Sequence, residues 1–221
     1  VTSYDFDFDG QHLQARPSGA LFWPERRWLI VADLHLGKSE RMARRGGALL
    51  PPYETLATLD RLGAEVEATD PDAVVSLGDG FDDDAAGHEL PDDVCHALQA
   101  MAQGRRWIWI SGNHDPGHIS ARLPGKALPD LNENLLLRHQ AGEGRDISGH
   151  YHPCIRLGGQ RLRCFLLGTN HLILPAFGAY TGGLSVDDPA LRALVPTGIA
   201  IACGHRAMPV PVKARPARRR A

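Results

Sequence analysis

Five stretches of the chain run apolar and then end in residues that can ligate a cation or move a proton. "WLIVADLHLG" (28–37) ends on Asp33 and His35, and "AVVSLGDGFDD" (73–83) on Asp79. "WIWISGNHD" (107–115) delivers Asn113, His114 and Asp115. "NLLLRHQ" (134–140) delivers His139, and "DISGHYHP" (146–153) delivers His150 and His152. Carboxylates, imidazoles and one amide, with no thiolate, make an oxygen and nitrogen donor set suited to Mn, Fe or Zn. Asp33, His35, Asp79, Asn113, His139, His150 and His152 make seven candidate ligands. One ion with an open position needs three or four. Seven fit two ions sharing a carboxylate, and Asp79, alone on its strand with two oxygens, is the natural bridge. Two carboxylates against two divalent ions leave a positive surplus that suits a phosphate ester. Such a metal pair can clamp a phosphoryl group and activate a bridging water.

The spacing carries further expectations. Asp33 and His35 are two apart, which on extended chain points both to one side. His150 and His152 repeat the pattern, with Tyr151 facing away. Gly78, Gly112 and Gly149 each precede a candidate ligand, where a crowded centre needs close backbone approach. Any one of these motifs alone suits an ordinary turn or a satisfied core histidine. All five in this order, each at a strand tip, point to one site. Asp82–Asp84 read as a solvated acidic loop. His12, His88, His96, His118, His171 and His205 lack motif context and read as structural or surface residues.

The elements that must position this set can be read from apolar periodicity. The opening residues read as short antiparallel strands, with "ALFW" and "RRWLIVAD" joined across Pro24–Glu25. A helix is expected over 52–68, with Leu56, Leu59, Leu62 and Val66 on its apolar face and Pro51–Pro52 at its start. A second helix is expected over 91–103, with Val94, Leu98 and Met101 on one face. "AVVSLGD" and "RRWIWISGNHD" read as buried strands. "NLLLRHQ", "RDISGHYHP", "IRLGGQRLRCFLL", "NHLILPAFGAY" and "GIAIACG" follow as strands, with a hairpin turn at Gly158–Gly159 and a short helix over 188–194. Helices alternate with strands early and strands dominate late. That predicts a layered α/β protein with two packed sheets. One domain is expected over 1–212, followed by a basic tail over 213–221.

Composition bounds the function. A 43% apolar content supports a real core, and no run reaches the length needed to cross a bilayer. The acidic opening "VTSYDFDFDG" does not read as a secretory signal. Cys95, Cys154, Cys164 and Cys203 contain no CxxC pair, which points to a reducing, cytoplasmic setting. Residues 1–110 carry 10 basic and 19 acidic side chains, and residues 111–221 carry 14 and 7, so the halves differ in sign. Lys38, Arg41, Arg44 and Arg45 follow directly on the Asp33/His35 loop and suit flanking phosphates of a nucleic acid. Lys213, Arg215, Arg218, Arg219 and Arg220 in the tail could add sequence-independent attraction. Aromatic content is only 6%, so Tyr151 and Tyr180 are the only candidates near the motifs for stacking unpaired bases.

The series D-x-H, GD, GNHD, lone His and GHxH resembles the calcineurin-like metallophosphoesterases. The resemblance implies a four-layer αββα sandwich of two mixed sheets with a dinuclear centre at its edge. It implies that Asp33, His35, Asp79 and His152 hold one metal, and that Asp79, Asn113, His139 and His150 hold the other. It implies that His114 stabilises the transition state or protonates the leaving oxygen, and that Asp115 tunes and orients His114. "LFWPERRWLIVADLHLGKSERMARRGGALLPP", "LLLRHQ", "ISGHYHPCIRL" and "LILPAFGAYTGG" further resemble a bacterial subfamily, the ligase-associated DNA damage response endonucleases. That likeness implies a manganese-dependent phosphodiesterase acting on DNA, attack by a metal-bridging hydroxide, and partnership with an ATP-dependent DNA ligase, a helicase and an exonuclease. Gly80 departs from the pattern, standing where a bulky apolar residue is expected, which predicts a looser loop beside Asp79.

Two other readings compete. A small-molecule phosphodiesterase or phosphomonoesterase would show a closed pocket and indifference to the basic tail. A non-catalytic interaction module would typically have lost ligands, whereas all seven are present here.

Overall fold

The structure, a computed structural model, describes residues 2–39, 41, 53–83, 88–115 and 120–214. The first sheet runs in spatial order β1 (Tyr4–Phe8), β2 (Gln11–Ala15), β3 (Leu21–Trp23), β4 (Trp28–Val31), β5 (Ala73–Leu77), β6 (Arg106–Ile110) and β7 (Lys126–Leu128). β1 to β4 are antiparallel neighbours, and β4 to β7 are parallel. Every residue of β4 and β5 is buried, as is β6 after Arg106. Parallel strands covered on both faces read as continuous apolar runs for this reason. Their carboxyl ends fall along one edge, which is where α/β sheets bind ligands.

The second sheet is built from β8 (Asp130–Asn132), β9 (Leu136–Arg138), β10 (Asp146–Ser148), β12 (Gln160–Leu167), β13 (His171–Ile173), β14 (Gly198–Ala202) and β15 (Met208–Val212). Its spatial order is β15-β14-β12-β13-β10-β9-β8, and β11 (Cys154–Leu157) pairs with β12 as a hairpin. Gly158 and Gly159 turn that hairpin with φ of 56° and 81°, as their pairing in the sequence predicts. β9 runs parallel to β10, so His139 and His150 lie beyond neighbouring carboxyl ends.

Apolar side chains sort the layers. Leu13, Trp23, Ile30, Val75 and Ile108 of the first sheet pack against Leu137, Ile147, Phe165, Leu172 and Ile201 of the second. Leu29, Val31, Val74, Trp107 and Trp109 face outward onto α1 (Glu54–Thr69) and α2 (Asp92–Met101) through Leu59, Leu62, Val66, Val94 and Leu98. Cys164, Leu166, Ile173 and Ala200 are covered by Leu191 of the six-residue α3 (Pro189–Leu194) with Val186 and Val195. The result is the expected αββα sandwich, with a thin outer layer on the second sheet. No helix among the described residues is long and apolar enough to cross a membrane. The four cysteines are free and buried.

Three strands escape the sequence reading. β7 and β8 are three-residue segments with few apolar side chains. β15 contains Pro209 and Pro211, which argue against a strand but are tolerated on a sheet edge. Leu56, expected on the buried face of α1, is instead exposed, and Thr55 and Thr58 line the buried face with the leucines. Pro51 and Pro52 lie outside the described residues, as do Arg44, Arg45, Asp84, His118 and the tail from residue 215.

One buried carboxylate ties α1 to the loop after β4. Glu54 accepts hydrogen bonds from the Ser39 backbone N–H at 2.9 Å and from the Ser39 hydroxyl. Gly37 N–H donates to the Thr55 hydroxyl oxygen at 3.0 Å. Burial alone would raise the Glu54 carboxyl, but the Ser39 bonds prevail and hold it below its ordinary 4.5. Glu54→Ala leaves the Ser39 donors unmet and is expected to cost about 1–3 kcal/mol in urea denaturation. A depressed folded pKa stabilises above the unfolded value and loses that stabilisation as pH falls through the folded one. The stability gap between wild type and variant should therefore shrink in acid; a gap that widens there would overturn this account.

Candidate metal centre

The loops beyond β4 and β5 are laced together by backbone. Asp33 N–H donates to the Gly78 carbonyl, His35 N–H to that of Asp79, and Leu36 N–H to that of Gly80, at 3.2, 3.0 and 3.0 Å. Asp33 and His35 are not on extended chain, contrary to the spacing argument. Asp33, His35, Asp79, His150 and His152 all adopt left-handed backbone, with φ of 54°, 47°, 45°, 69° and 48°. Left-handed turns bring alternate side chains to the centre while the residue between packs elsewhere. Leu34 is buried in the core beneath α1, and Tyr151 packs against the core beneath α3. For non-glycine residues such backbone is uncommon and costs of order 1 kcal/mol or more each. Its concentration at these five positions marks a functional centre.

The glycine expectation holds in detail. A Cβ on Gly78 would stand 2.2 Å from Nδ1 of His139, one on Gly112 2.3 Å from Oδ1 of Asp79, and one on Gly149 2.4 Å from Oδ2 of Asp33. Each glycine gives its space to a ligand delivered by another strand.

The donors converge in two groups, Asp33 with His35 and His152, and Asp79 with His139 and His150. Within each group the candidate ligand atoms lie within 4.8 Å of one another. The groups adjoin, since His139 Nδ1 is 3.8 Å from Asp33 Oδ1. The sequence expectation also placed Asp79 with the first group and Asn113 with the second, and neither placement is part of that grouping. His152 Nε2 is 3.4 Å from Asp33 Oδ1, and His139 Nε2 is 3.5 Å from Asp79 Oδ2.

The residues fit cations. Asp33 and Asp79 are 0% and 4% exposed, and among the described residues no arginine or lysine pairs with either. Buried charge without a partner is costly. Nε2 of His35 and Nε2 of His152 are buried without a hydrogen-bond partner. The Leu77 carbonyl, 3.1 Å from Nδ1 of His139, favours the proton on that nitrogen, turning the Nε2 lone pair toward His150 Nδ1 at 3.0 Å. Two facing ring nitrogens need a proton or a cation between them. Burial, with the neighbouring His139, lowers the pKa of His150 and favours the neutral imidazole that metals require.

Asn113 and His114 are exposed at the rim, on the turn after β6. His114 N–H donates to Asp79 Oδ1 at 2.9 Å, and its ring lies 5.8 Å from that of His35. Asp115 accepts from Gly112 N–H at 2.8 Å and from Phe81 N–H at 3.1 Å. Its carboxylate therefore pins the GNHD turn to the Asp79 loop and positions His114 through the backbone. Burial pushes the Asp115 carboxyl above its ordinary range.

Two expectations, those for Asp82 and Gly80, are corrected. Asp82 is not solvated: it is 3% exposed, its Oδ1 is 3.2 Å from Nδ1 of His35, and Arg41 pairs with its other oxygen. Burial opposes its ionisation, yet His35 and Arg41 hold its carboxyl low. Asp82 thus braces a candidate ligand, a role its residue type and neighbours in the sequence do not signal. Arg41, expected on DNA, faces this carboxylate. Lys38 is half-buried, and Arg44 and Arg45 lie outside the described residues. Gly80 does not loosen its loop. A Cβ there would meet the Trp109 ring at 3.0 Å, and Phe81 pairs with Leu36 in a parallel bridge. The indole occupies the room a larger residue would need. Tyr180 is exposed with a φ of 53°, and His171 is a structural residue bonded to the buried Asp146 at 3.0 Å.

Such a sandwich, with two adjoining oxygen and nitrogen donor groups at its strand ends, defines a metal-dependent phosphoesterase. The chain belongs to the calcineurin-like phosphoesterase family, whose sequence profile matches residues 26–209. It is similar to a crystal structure of Pseudomonas putida nuclease MPE, with 29% identity and a TM-score of 0.76, covering 95% of this chain and all of that one. A fainter likeness, 17% identity and a TM-score of 0.39 over 71% of this chain and 83% of the other, links it to Yfce, a phosphoesterase from E. coli. No curated protein matches the chain by sequence.

Gly149→Ala would drive a methyl group into Asp33 Oδ2 and within 2.8 Å of Ala32 Cβ. The variant should keep its circular dichroism spectrum and lose bound metal by elemental analysis. Full metal content in that variant would show that the glycine is not needed for close approach.

Proposed function

We propose that the protein is a DNA phosphodiesterase, an endonuclease acting in bacterial DNA repair. The observation that carries the reading is the pair of adjoining donor groups, Asp33/His35/His152 and Asp79/His139/His150, opening to solvent beside His114. The likeness to a nuclease over nearly the whole chain supports nucleic acid as the substrate class. Asp79, and Asn113 on the turn it anchors, complete the ligand set of the two ions, for which manganese is the first candidate. Two bound divalent ions would lower the pKa of a water and neutralise the nonbridging phosphate oxygens.

The chain's own residues supply the rest. His114 is tied by its backbone to the ligand Asp79, which leaves its exposed ring free to protonate the departing sugar oxygen. Asp115 holds that turn against the Phe81 loop, so the acid and the metal ligands share one rigid frame. An ATP-dependent DNA ligase, a helicase and an exonuclease are the partners this reading suggests, in the cytoplasm.

The test is manganese-dependent cleavage of circular single-stranded and duplex DNA, run beside a phosphomonoester. Nicked or linearised circles are expected; intact circles with the monoester consumed would favour a small-molecule phosphoesterase. His114→Ala should lower turnover by about 10²–10⁴ while retaining its metal. Loss of metal in that variant would reassign His114 as a ligand.

A further inference from the structure

A second cavity adjoins the metal centre. It encloses about 250 Å³ and is lined by His152, Arg161, Arg163 and Thr181, among others. His152 forms a wall common to the cavity and the first donor group. Gly183 sits so close to the His152 carbonyl that a Cβ would come within 2.0 Å, so the rim loop is pressed onto the ligand's own backbone.

Among the described residues, the arginines in and behind the cavity have no carboxylate partners. Elsewhere, partly buried arginines are neutralised: Arg16 pairs with Glu65, Arg41 with Asp82 and Arg138 with Asp146. Arg61, Arg161 and Arg163 bond only to backbone carbonyls among the described residues. Arg163 donates to Ala176 O at 3.0 Å and Phe177 O at 3.1 Å. Arg61 donates to the same Phe177 carbonyl and stacks on the Phe177 ring at 4.5 Å. Arg161 donates to Gly183 O. Burial, with Arg163 nearby, pulls Arg61 down to about 10, which still leaves it charged at neutral pH. Positive charges gathered in a concave, partly desolvated place attract an anion, and guanidinium matches phosphate in shape and hydrogen bonding.

We propose that this cavity is a subsite for a second phosphate of the substrate, neighbouring the phosphodiester held at the metal centre. The inference rests on the nucleic-acid reading above. A strand offers a further phosphate next to the one being cut, and a simple monoester does not. Arg161 and Arg163 bind it, and Arg61 adds charge behind Phe177. The site thereby favours polynucleotides through binding energy from a group that does not react. Another basic hollow, around Arg105, Arg106 and Lys126, lies at the amino end of β6, away from the centre, and Arg105 there is paired with Asp70.

The test uses the full chain loaded with manganese and two classes of dinucleotide. One has only its internal phosphodiester; the other carries an added phosphate at the 5′ or the 3′ end. Wild type should cleave one phosphorylated form with a kcat/KM about 10-fold higher, chiefly through KM. Arg161→Ala should bring that ratio toward one, and Arg161→Lys should keep part of it. Arg161 is exposed, so its replacement should not unfold the protein. Equal cleavage of all forms by wild type, or a ratio unchanged in Arg161→Ala, would overturn the subsite alone. Hydrolysis of bis(4-nitrophenyl) phosphate with every dinucleotide left intact would overturn the nucleic-acid reading and the subsite with it.

Discussion

Two buried carboxylates that pair with no arginine or lysine among the described residues organise this molecule. Asp33 and Asp79 lie at the ends of adjacent parallel strands, and their neighbours are imidazoles and backbone N–H groups. A buried ion pair would neutralise them at the cost of closing the site. Here the balance is left to cations from outside, and everything nearby is shaped to leave room for them. The three glycines give up side-chain volume to ligands from other strands. The histidines on both sheets are held in register by the same pairing that forms the core.

Backbone strain follows from this. A ligand set drawn from two sheets must turn sharply off each strand end, and the left-handed conformations of Asp33, His35, Asp79, His150 and His152 supply those turns. Asp tolerates left-handed backbone comparatively well. The ladder between the β4 and β5 loops, the Glu54 anchor and the Asp115 brace hold the strained segments where they are. Rigid strands below and cross-linked loops above let strain persist at the centre.

Much of this was legible in the sequence because ligand chemistry and strand periodicity are both local. Apolar runs ending in Asp, His or Asn located the strand tips, and the glycines before them announced crowding. The manner of the turning was not legible. D-x-H reads as alternation on a strand, yet the same two-residue spacing arises from two left-handed residues flanking a buried leucine. Asp82 resembles its solvated neighbours in type, and only its position under Arg41 and beside His35 distinguishes it. Gly80 looked like a gap because the residue that fills it, Trp109, comes from the next strand. β15 was hidden by prolines that an edge position excuses. Each miss depends on a contact between segments distant in sequence.

The segment from Ala176 to Gly178 shows how opposite charges are kept apart within one small region. Its N–H groups are spent on the metal loop, Phe177 to the Ala32 carbonyl and Gly178 to that of Asp33. Its carbonyls at Ala176 and Phe177 are spent on Arg61 and Arg163. A carbonyl holds a guanidinium without cancelling its charge, as a carboxylate would. The guanidinium charges are therefore not cancelled by a carboxylate, and the Asp33 carboxylate, one backbone bond away through Gly178, is not paired with them. Had the arginines reached the carboxylates directly, both charges would have been consumed and neither a metal ion nor a phosphate would be attracted. Neutral backbone placed between them preserves both, one for cations within and one for anions at the rim.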